Sequence, residues 1–358
     1  MFGMLYIVFT TGRCNLRCSY CGGSFPRRLV PWEVKYRVEE LADFLSQDPS
    51  PIVAFYGGEP LLNPVFMMEV MDRVEATYVI QTNGLLVDRL GPEYWRRFDT
   101  VLLSIDGVES VTDMHRGRGV YRRVLKSARW LRDIGFGGDL VARMTVTEVS
   151  DIWRDVTHLL SLNLFDHVHW QLNVVWSPRW RDFKGWLRSS YKPGLDRIRE
   201  LWVRNLLEGR VLGLAPFQGV LRRLFYGGPN PPCGAGVESF SILTDGRILA
   251  CPIAVDVPWA RLGHIRDTSP EELTGKISIG EPCTGCDILQ ACGGRCLYAH
   301  MERLWGMDGF RDVCMATRYL VEEVMGVKPL AEKLIADGVV NPDELLYPTY
   351  NNTVEIIP

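Results

Sequence analysis

The chain of 358 residues contains ten cysteines, yet none lies between residues 22 and 232. Three fall at 14–21 and seven at 233–314, so the thiols are confined to two places. Clustering of this kind, without a secretory leader, points to metal ligands rather than to a disulfide framework. Basic excess is lacking as well. Lys and Arg number 40 against 43 Asp and Glu, for a formal net charge of −3, which argues against a nucleic-acid partner. There is no apolar run long enough to span a bilayer. The first one, "MFGMLYIVF", is short and lacks a basic leader, and it reads as a buried strand of a cytoplasmic protein with no membrane partner. No fixed-period repeat or low-complexity tract appears, so solenoid and fibrous classes are excluded. With 47% hydrophobic residues, the chain has ample material for a large core.

The first half alternates apolar β-rich runs with amphipathic helical stretches. Strands are expected at 4–10, 51–56, 77–82, 100–105, 140–146 and 167–175. Helical stripes are expected at 32–46 (Val34, Val38, Leu41, Leu45) and at 120–134 (Val124, Leu125, Ala128, Leu131). Six strand–helix units in series predict a parallel α/β sheet in a barrel, open or closed, with helices outside. Near-continuous apolar strands suit burial on both faces. Sites in such barrels form from loops after the strand ends, and the first cysteines follow the first strand. The segment 176–192, with Ser177–Pro178 as a start signal, predicts an amphipathic helix carrying Trp176, Trp180, Phe183 and Leu187 on one face. Its roles are packing on the barrel or lining a substrate groove.

"TTGRCNLRCSYCGG" (10–23) holds Cys14, Cys18 and Cys21 at the spacing C-x3-C-x2-C. Disulfides need pairs and a structural zinc site normally takes four ligands. Three thiolates on a 4Fe–4S cluster leave one iron open, which suits catalysis. A chance cluster or a partial zinc site is the plainer alternative. The company is informative. "YGGEP" (56–60) follows the second strand, and "SIDGVESVTDMHRG" (104–117) follows the fourth. Together these stretches resemble the radical S-adenosylmethionine (radical SAM) superfamily, with its C-x3-C-x-aromatic-C, GGEP and S-x-D-G…H-x-R motifs.

The resemblance implies several roles. Cys14, Cys18 and Cys21 hold a 4Fe–4S cluster whose free iron chelates S-adenosylmethionine. Reductive cleavage then releases a 5′-deoxyadenosyl radical that abstracts hydrogen from a substrate. Gly57, Gly58, Glu59 and Pro60 meet the amino group of S-adenosylmethionine, Ser104 and Arg116 its carboxylate, and Tyr20 the adenine. For Ser104 and Asp106 the plainer reading is a helix N-cap.

From Cys233 the spacing is C-x12-G-x4-C (Cys233, Gly246, Cys251), then C-x2-C-x5-C-x3-C (Cys283, Cys286, Cys292, Cys296), then Cys314. A pair of zinc sites is the plain reading of part of this. The whole order resembles the SPASM domain of peptide-modifying radical enzymes. The resemblance assigns Cys283, Cys286, Cys292 and Cys314 to an outer cluster, and Cys233, Cys251 and Cys296 to an inner one. Sulfatase-maturating members have one more cysteine upstream for the inner cluster, which this chain lacks. Its inner cluster is therefore expected to have an open iron, to take a non-cysteine ligand, or to be 2Fe–2S. Those members also carry an acid directly after the cysteine matching Cys251, where this chain has Pro252. Oxidation of a sulfatase residue to formylglycine is thereby disfavoured, and Glu238, Asp245 and His264 are the nearby titratable residues.

The resemblance implies a partial (β/α)6 barrel over 1–175, a helical bridge or lid at 176–225, a SPASM auxiliary-cluster domain at 226–320, and a C-terminal helix and tail at 321–358. The function expected is S-adenosylmethionine cleavage with hydrogen abstraction from a peptide or protein, for crosslinking, epimerisation or oxidation. Ferredoxin or flavodoxin would donate the electron. The alternatives are the same chemistry on a small cofactor precursor, and a non-catalytic iron–sulfur electron carrier. A cluster loop beginning at residue 14 leaves no expected leader-binding module before it, and the apolar, aromatic tail 345–358 is expected to dock on the body.

Overall fold

The computed structural model describes residues 3–352. Its centre is one parallel array: β1 (Leu5–Thr11), β2 (Ile52–Gly57), β3 (Thr77–Thr82), β4 (Thr100–Ser104), β5 (Asp139–Val146) and β6 (His167–Leu172). These strands lie side by side in chain order. β1 is buried along its whole length, as an apolar strand covered on both faces should be. The sixth strand ends earlier than its apolar run suggests. At Asn173–Val175 the backbone bends away, with the Val174 amide bonding to the Leu172 carbonyl, and Asn173 and Val175 face a cavity.

The array does not close on itself. The free edge of β1 is taken by β7 (Ser239–Ile242), also parallel, followed by antiparallel β8 (Arg247–Leu249) and β9 (Arg261–His264). The cysteine-rich region thus joins the same sheet through a backbone ladder. The fold is a partial (β/α)6 barrel, as expected.

Helices cover the outside. Val120–Asp133 buries Val124, Leu125, Ala128 and Leu131, the expected stripe. The stripe expected from residue 32 is shorter, since helix occupies only Val38–Leu45. Residues before it spend their backbone elsewhere. The Trp32 carbonyl accepts from the Thr11 hydroxyl at 2.6 Å, and the Lys35 amide donates to Thr244 at 2.7 Å. The expectation of one helix over 176–192 also needs correction. Ser177 starts no helix, and helical structure begins at Phe183, capped by Asp182, whose carboxylate accepts from the Gly185 amide. The stripe divides accordingly. Trp180 and Phe183 pack with Trp186 and Trp305, whereas Trp176, at φ +55°, lies against Phe25 at the cavity.

The long helix Gly306–Ala336 packs on Ala215–Tyr226 and Lys192–Leu207. Beyond it the tail docks across the strands' N-terminal ends. Tyr347 stacks on His167 at 3.7 Å, and the hydroxyls of Tyr350 and Thr100 lie 2.6 Å apart. The expectation of a docked tail holds to residue 352; positions 353–358 lie outside the described residues. Among the described residues no helix is long and apolar enough to cross a membrane.

Candidate active site

The cysteine loop leaves β1 and is fixed from three sides by neighbouring strand-end loops. From the β2 loop, the amides of Gly58 and Glu59 donate to the carbonyls of Thr11 and Arg13 at 3.0 and 2.7 Å. Only glycine permits this approach, because a Cβ on Gly58 would stand 2.1 Å from the Arg13 carbonyl oxygen. These glycines admit the cysteine loop, and they also line the cavity where the sequence reading expects a ligand. From the β3 loop, the Asn83 amide donates to Asn15 at 2.7 Å. From the helix Glu109–Arg116, the His115 carbonyl accepts from the Ser19 amide at 2.9 Å, and the His115 ring meets the Ser19 hydroxyl at 2.7 Å.

Cys14, Cys18 and Cys21 consequently face one cavity of about 410 Å³. Burial pushes the Cys14 thiol up to about 11, whereas the hydrogen bond from Cys18 holds Cys21 down at about 6. Tyr20, Gly57, Gly58, Glu59, Ser104 and Arg116 line the same space. Pro60 does not; it opens the short turn Pro60–Leu62, where its carbonyl accepts from the Thr10 hydroxyl.

Glu59 is almost wholly buried. Its carboxylate accepts from the Leu61 and Asn83 amides at 3.1 and 2.8 Å and from the Thr82 hydroxyl at 2.7 Å. These donors fix its aim, but burial outweighs them and lifts the carboxyl to about 7. A neighbouring ammonium would favour its charged form.

Arg116 is held by Asp106 through a two-point fork, Nε and Nη2 donating at 2.7 and 2.9 Å. Asp106 also accepts from the Tyr20 hydroxyl and the Thr145 amide. It is a buried hub and not the N-cap considered from sequence, since the helix that follows starts from Val108. The Arg116 guanidinium lies 5.4 Å from the centre of the Tyr20 ring.

Cys233, Cys251 and Cys296 line this cavity as well. The two sets of three thiols, some 200 residues apart in the chain, thus face one space. Cys283, Cys286, Cys292 and Cys314 line a separate, smaller cavity of about 100 Å³, and Cys296 borders both. Near the outer set, Arg318 donates to the Cys286 sulfur and the His300 ring meets the Cys283 sulfur, each at 3.5 Å. All ten cysteines are free thiols. Among the described residues no three Cys, His, Asp or Glu side chains converge to hold one metal ion. A cluster takes one thiolate per iron, so convergence on a single point is not required of it. The donor sets, three and three across one cavity and four in the next, fit the clusters expected.

Glu238, Asp245 and His264 do not line the main cavity. Asp245 binds Arg247 at 2.7 Å, and its carbonyl meets the His264 ring at 2.9 Å. The acid that the sequence reading missed is Asp256, on the cavity wall beside Ile253 and Val255. Arg143 and Gln171 were missed too. A period of two along β5 and β6 was the available signal, because it turns both toward the barrel interior.

Comparison with known proteins finds relatives of this chain. Residues 8–156 match the model of the Radical SAM superfamily. The chain thus carries a Radical SAM domain over that stretch. It is 25% identical over 337 residues to a cysteine-type anaerobic sulfatase-maturating enzyme of Clostridium perfringens, across 79% of this chain and 85% of the relative. The structure of anSMEcpe with bound AdoMet and Cp18Cys peptide is similar at TM-score 0.70 and 18% identity, covering 91% of this chain and 99% of that one. SuiB of Streptococcus suis bound to its precursor peptide SuiA is similar at TM-score 0.55 and 15% identity, covering 85% and 74%.

Proposed function

We propose that this protein is a radical SAM enzyme that modifies a peptide or protein. The observation that carries this reading is the single cavity lined both by Cys14, Cys18 and Cys21 and by Cys233, Cys251 and Cys296. A substrate entering it lies between the radical generator and an auxiliary cluster. The sulfatase-maturating relative and SuiB with its bound peptide SuiA support a peptidic substrate.

When bound, S-adenosylmethionine with the first cluster supplies the 5′-deoxyadenosyl radical. The chain's own residues hold and exclude. Glu59, aimed by Leu61, Thr82 and Asn83, receives the ammonium. Ser104 and Tyr20 border the same ligand, and Asp106 holds the Arg116 guanidinium in place beside them. Phe25, Tyr56 and Trp176 keep water from the reacting centre. Cys296, bordering both cavities, gives electrons a route between the auxiliary clusters. A small iron–sulfur or flavin electron donor of the ferredoxin or flavodoxin kind is the expected partner. In this division residues 1–175 generate the radical, 176–225 bridge, 226–320 carry the auxiliary clusters and 321–358 brace them.

With Pro252 after Cys251, and Asp256 as the acid facing the cavity, the sulfatase reaction is not the one expected. Anaerobic incubation of cluster-loaded protein with S-adenosylmethionine, a reductant and candidate peptides, followed by mass spectrometry, tests the reading. A mass change in a peptide, with 5′-deoxyadenosine formed alongside, is expected. A sulfatase-derived cysteine peptide converted to formylglycine at enzymatic rates would contradict the specificity stated here.

A further inference from the structure

We infer that Arg223 is a positioning residue for the auxiliary clusters, a buried cation that ties the segment carrying Cys233 to the segment carrying Cys292 and favours the reduced form of both clusters. The inference deepens the reading above and rests on its assignment of the later cysteines to two clusters. Arg223 stands on the helix Ala215–Tyr226 and is 8% exposed. Its fork reaches two ways. Toward Cys233, Nη1 donates to the Pro229 carbonyl at 2.6 Å and Nη2 to the Asn230 side-chain oxygen at 3.0 Å. Toward Cys292, Nε donates to the Ala291 carbonyl at 3.2 Å and Nη2 to the Gln290 carbonyl at 3.1 Å.

The two segments meet at this side chain. A Cβ on Gly293, directly after Cys292, would stand 2.9 Å from Arg223 Nη2 and 2.8 Å from the ring of Pro232, directly before Cys233. Among the described residues, each acceptor of the fork is a neutral oxygen. Glu238 lies within electrostatic range, but it is exposed and solvent screens it. A buried guanidinium without a countercharge is costly. The remaining groups within its range are the Cys233 and Cys292 thiols, one from each auxiliary set. As thiolates on iron they would supply that countercharge. A cluster that accepts one electron gains one negative charge, so a fixed cation beside it favours the reduced form. Arg223 lines neither cavity, which leaves the spaces for S-adenosylmethionine and substrate untouched.

The test is a dithionite titration of anaerobic, cluster-loaded protein followed by electron paramagnetic resonance, with iron measured in each variant. In Arg223→Gln the reduced-to-oxidised ratio of both auxiliary clusters at a given potential should fall about tenfold, which for one electron is about 59 mV. The cluster at Cys14, Cys18 and Cys21 should titrate as in the wild type. Arg223→Lys keeps the charge without the fork and should restore the auxiliary potentials. Unchanged auxiliary potentials in iron-replete Arg223→Gln, or an equal shift in all three clusters, overturn the inference and leave the proposed function standing. If the glutamine variant loses auxiliary iron, Arg223→Lys decides. Iron retained at wild-type potentials supports the inference, whereas iron lost from both variants, or retained at altered potentials, overturns it. Wild-type protein that loads iron only at the first cluster overturns the auxiliary-cluster reading, and the inference with it.

Discussion

The two cysteine regions are built in opposite ways. Cys14, Cys18 and Cys21 sit on one short loop, and the structure's work is to pin that loop by hydrogen bonds with Glu59, Asn83 and His115. The later cysteines come from distant segments, and packing gathers them. Cys233, Cys251 and Cys296 are buried among Ala235, Ala250, Ala254 and Leu297, while Trp180, Phe183, Trp186 and Trp305 join the bridge to the long helix that carries Cys314. A local motif needs its neighbours only for aim, whereas a dispersed one needs the fold before it exists at all.

The sharpest way to break this comparison is to remove each set separately. Replacing Cys14, Cys18 and Cys21 by Ala should remove about four of roughly twelve bound irons, or of ten if the inner cluster is 2Fe–2S, and abolish S-adenosylmethionine cleavage. Because the first loop is local, the rest of the molecule should stay folded. Replacing Cys283, Cys286, Cys292 and Cys314 should remove a similar amount of iron and also lower the thermal midpoint. Iron analysis and calorimetry distinguish the cases, and equal thermal losses would contradict the contrast.

Arg116→Ala is next in size. It leaves the buried Asp106 carboxylate without its cation, so a loss of about 3–5 kcal/mol in denaturant unfolding is expected. Arg116→Lys, which keeps the charge, should recover part of that loss. A variant as stable as wild type would show that the Asp106 hub does not anchor the first region.

The smallest effect concerns pH. The Glu59 carboxyl is lifted to about 7 by burial, above its ordinary value. A raised carboxyl adds stability below its unfolded value, and that stability is lost as pH rises through about 7. Binding an ammonium works in the other direction, since only the ionised form attracts it. Affinity for S-adenosylmethionine should therefore rise by up to about tenfold between about pH 6 and 8, and Glu59→Gln should flatten the profile. A wild-type profile that is already flat would remove Glu59 from ammonium binding.

Most of the strand order was legible in the sequence because these strands are buried on both faces and read as apolar runs with motifs at their ends. Spacing marked the two cysteine regions, whereas the division of the later thiols into two sets came from the resemblance to the SPASM order. Three things were not. The 176–192 stretch has helical periodicity, but Trp176 is drawn to Phe25 and the cavity, and Asp182 captures the Gly185 amide, so the helix starts late. Residues 32–37 give their backbone to partners far along the chain, Thr244 among them. The Asp106–Arg116 fork depends on how the chain turns between β4 and the helix Glu109–Arg116, which residue spacing does not contain.

One cavity is lined by the thiols of a radical generator and by those of a second cluster site. That arrangement is tested most directly by incubating anaerobically reconstituted protein with S-adenosylmethionine and dithionite and measuring 5′-deoxyadenosine together with bound metal. Iron-loaded protein should form 5′-deoxyadenosine, with product lost when Cys14, Cys18 and Cys21 are replaced. Stoichiometric zinc without iron in anaerobically purified protein, or fully iron-loaded protein that forms no 5′-deoxyadenosine, would contradict it.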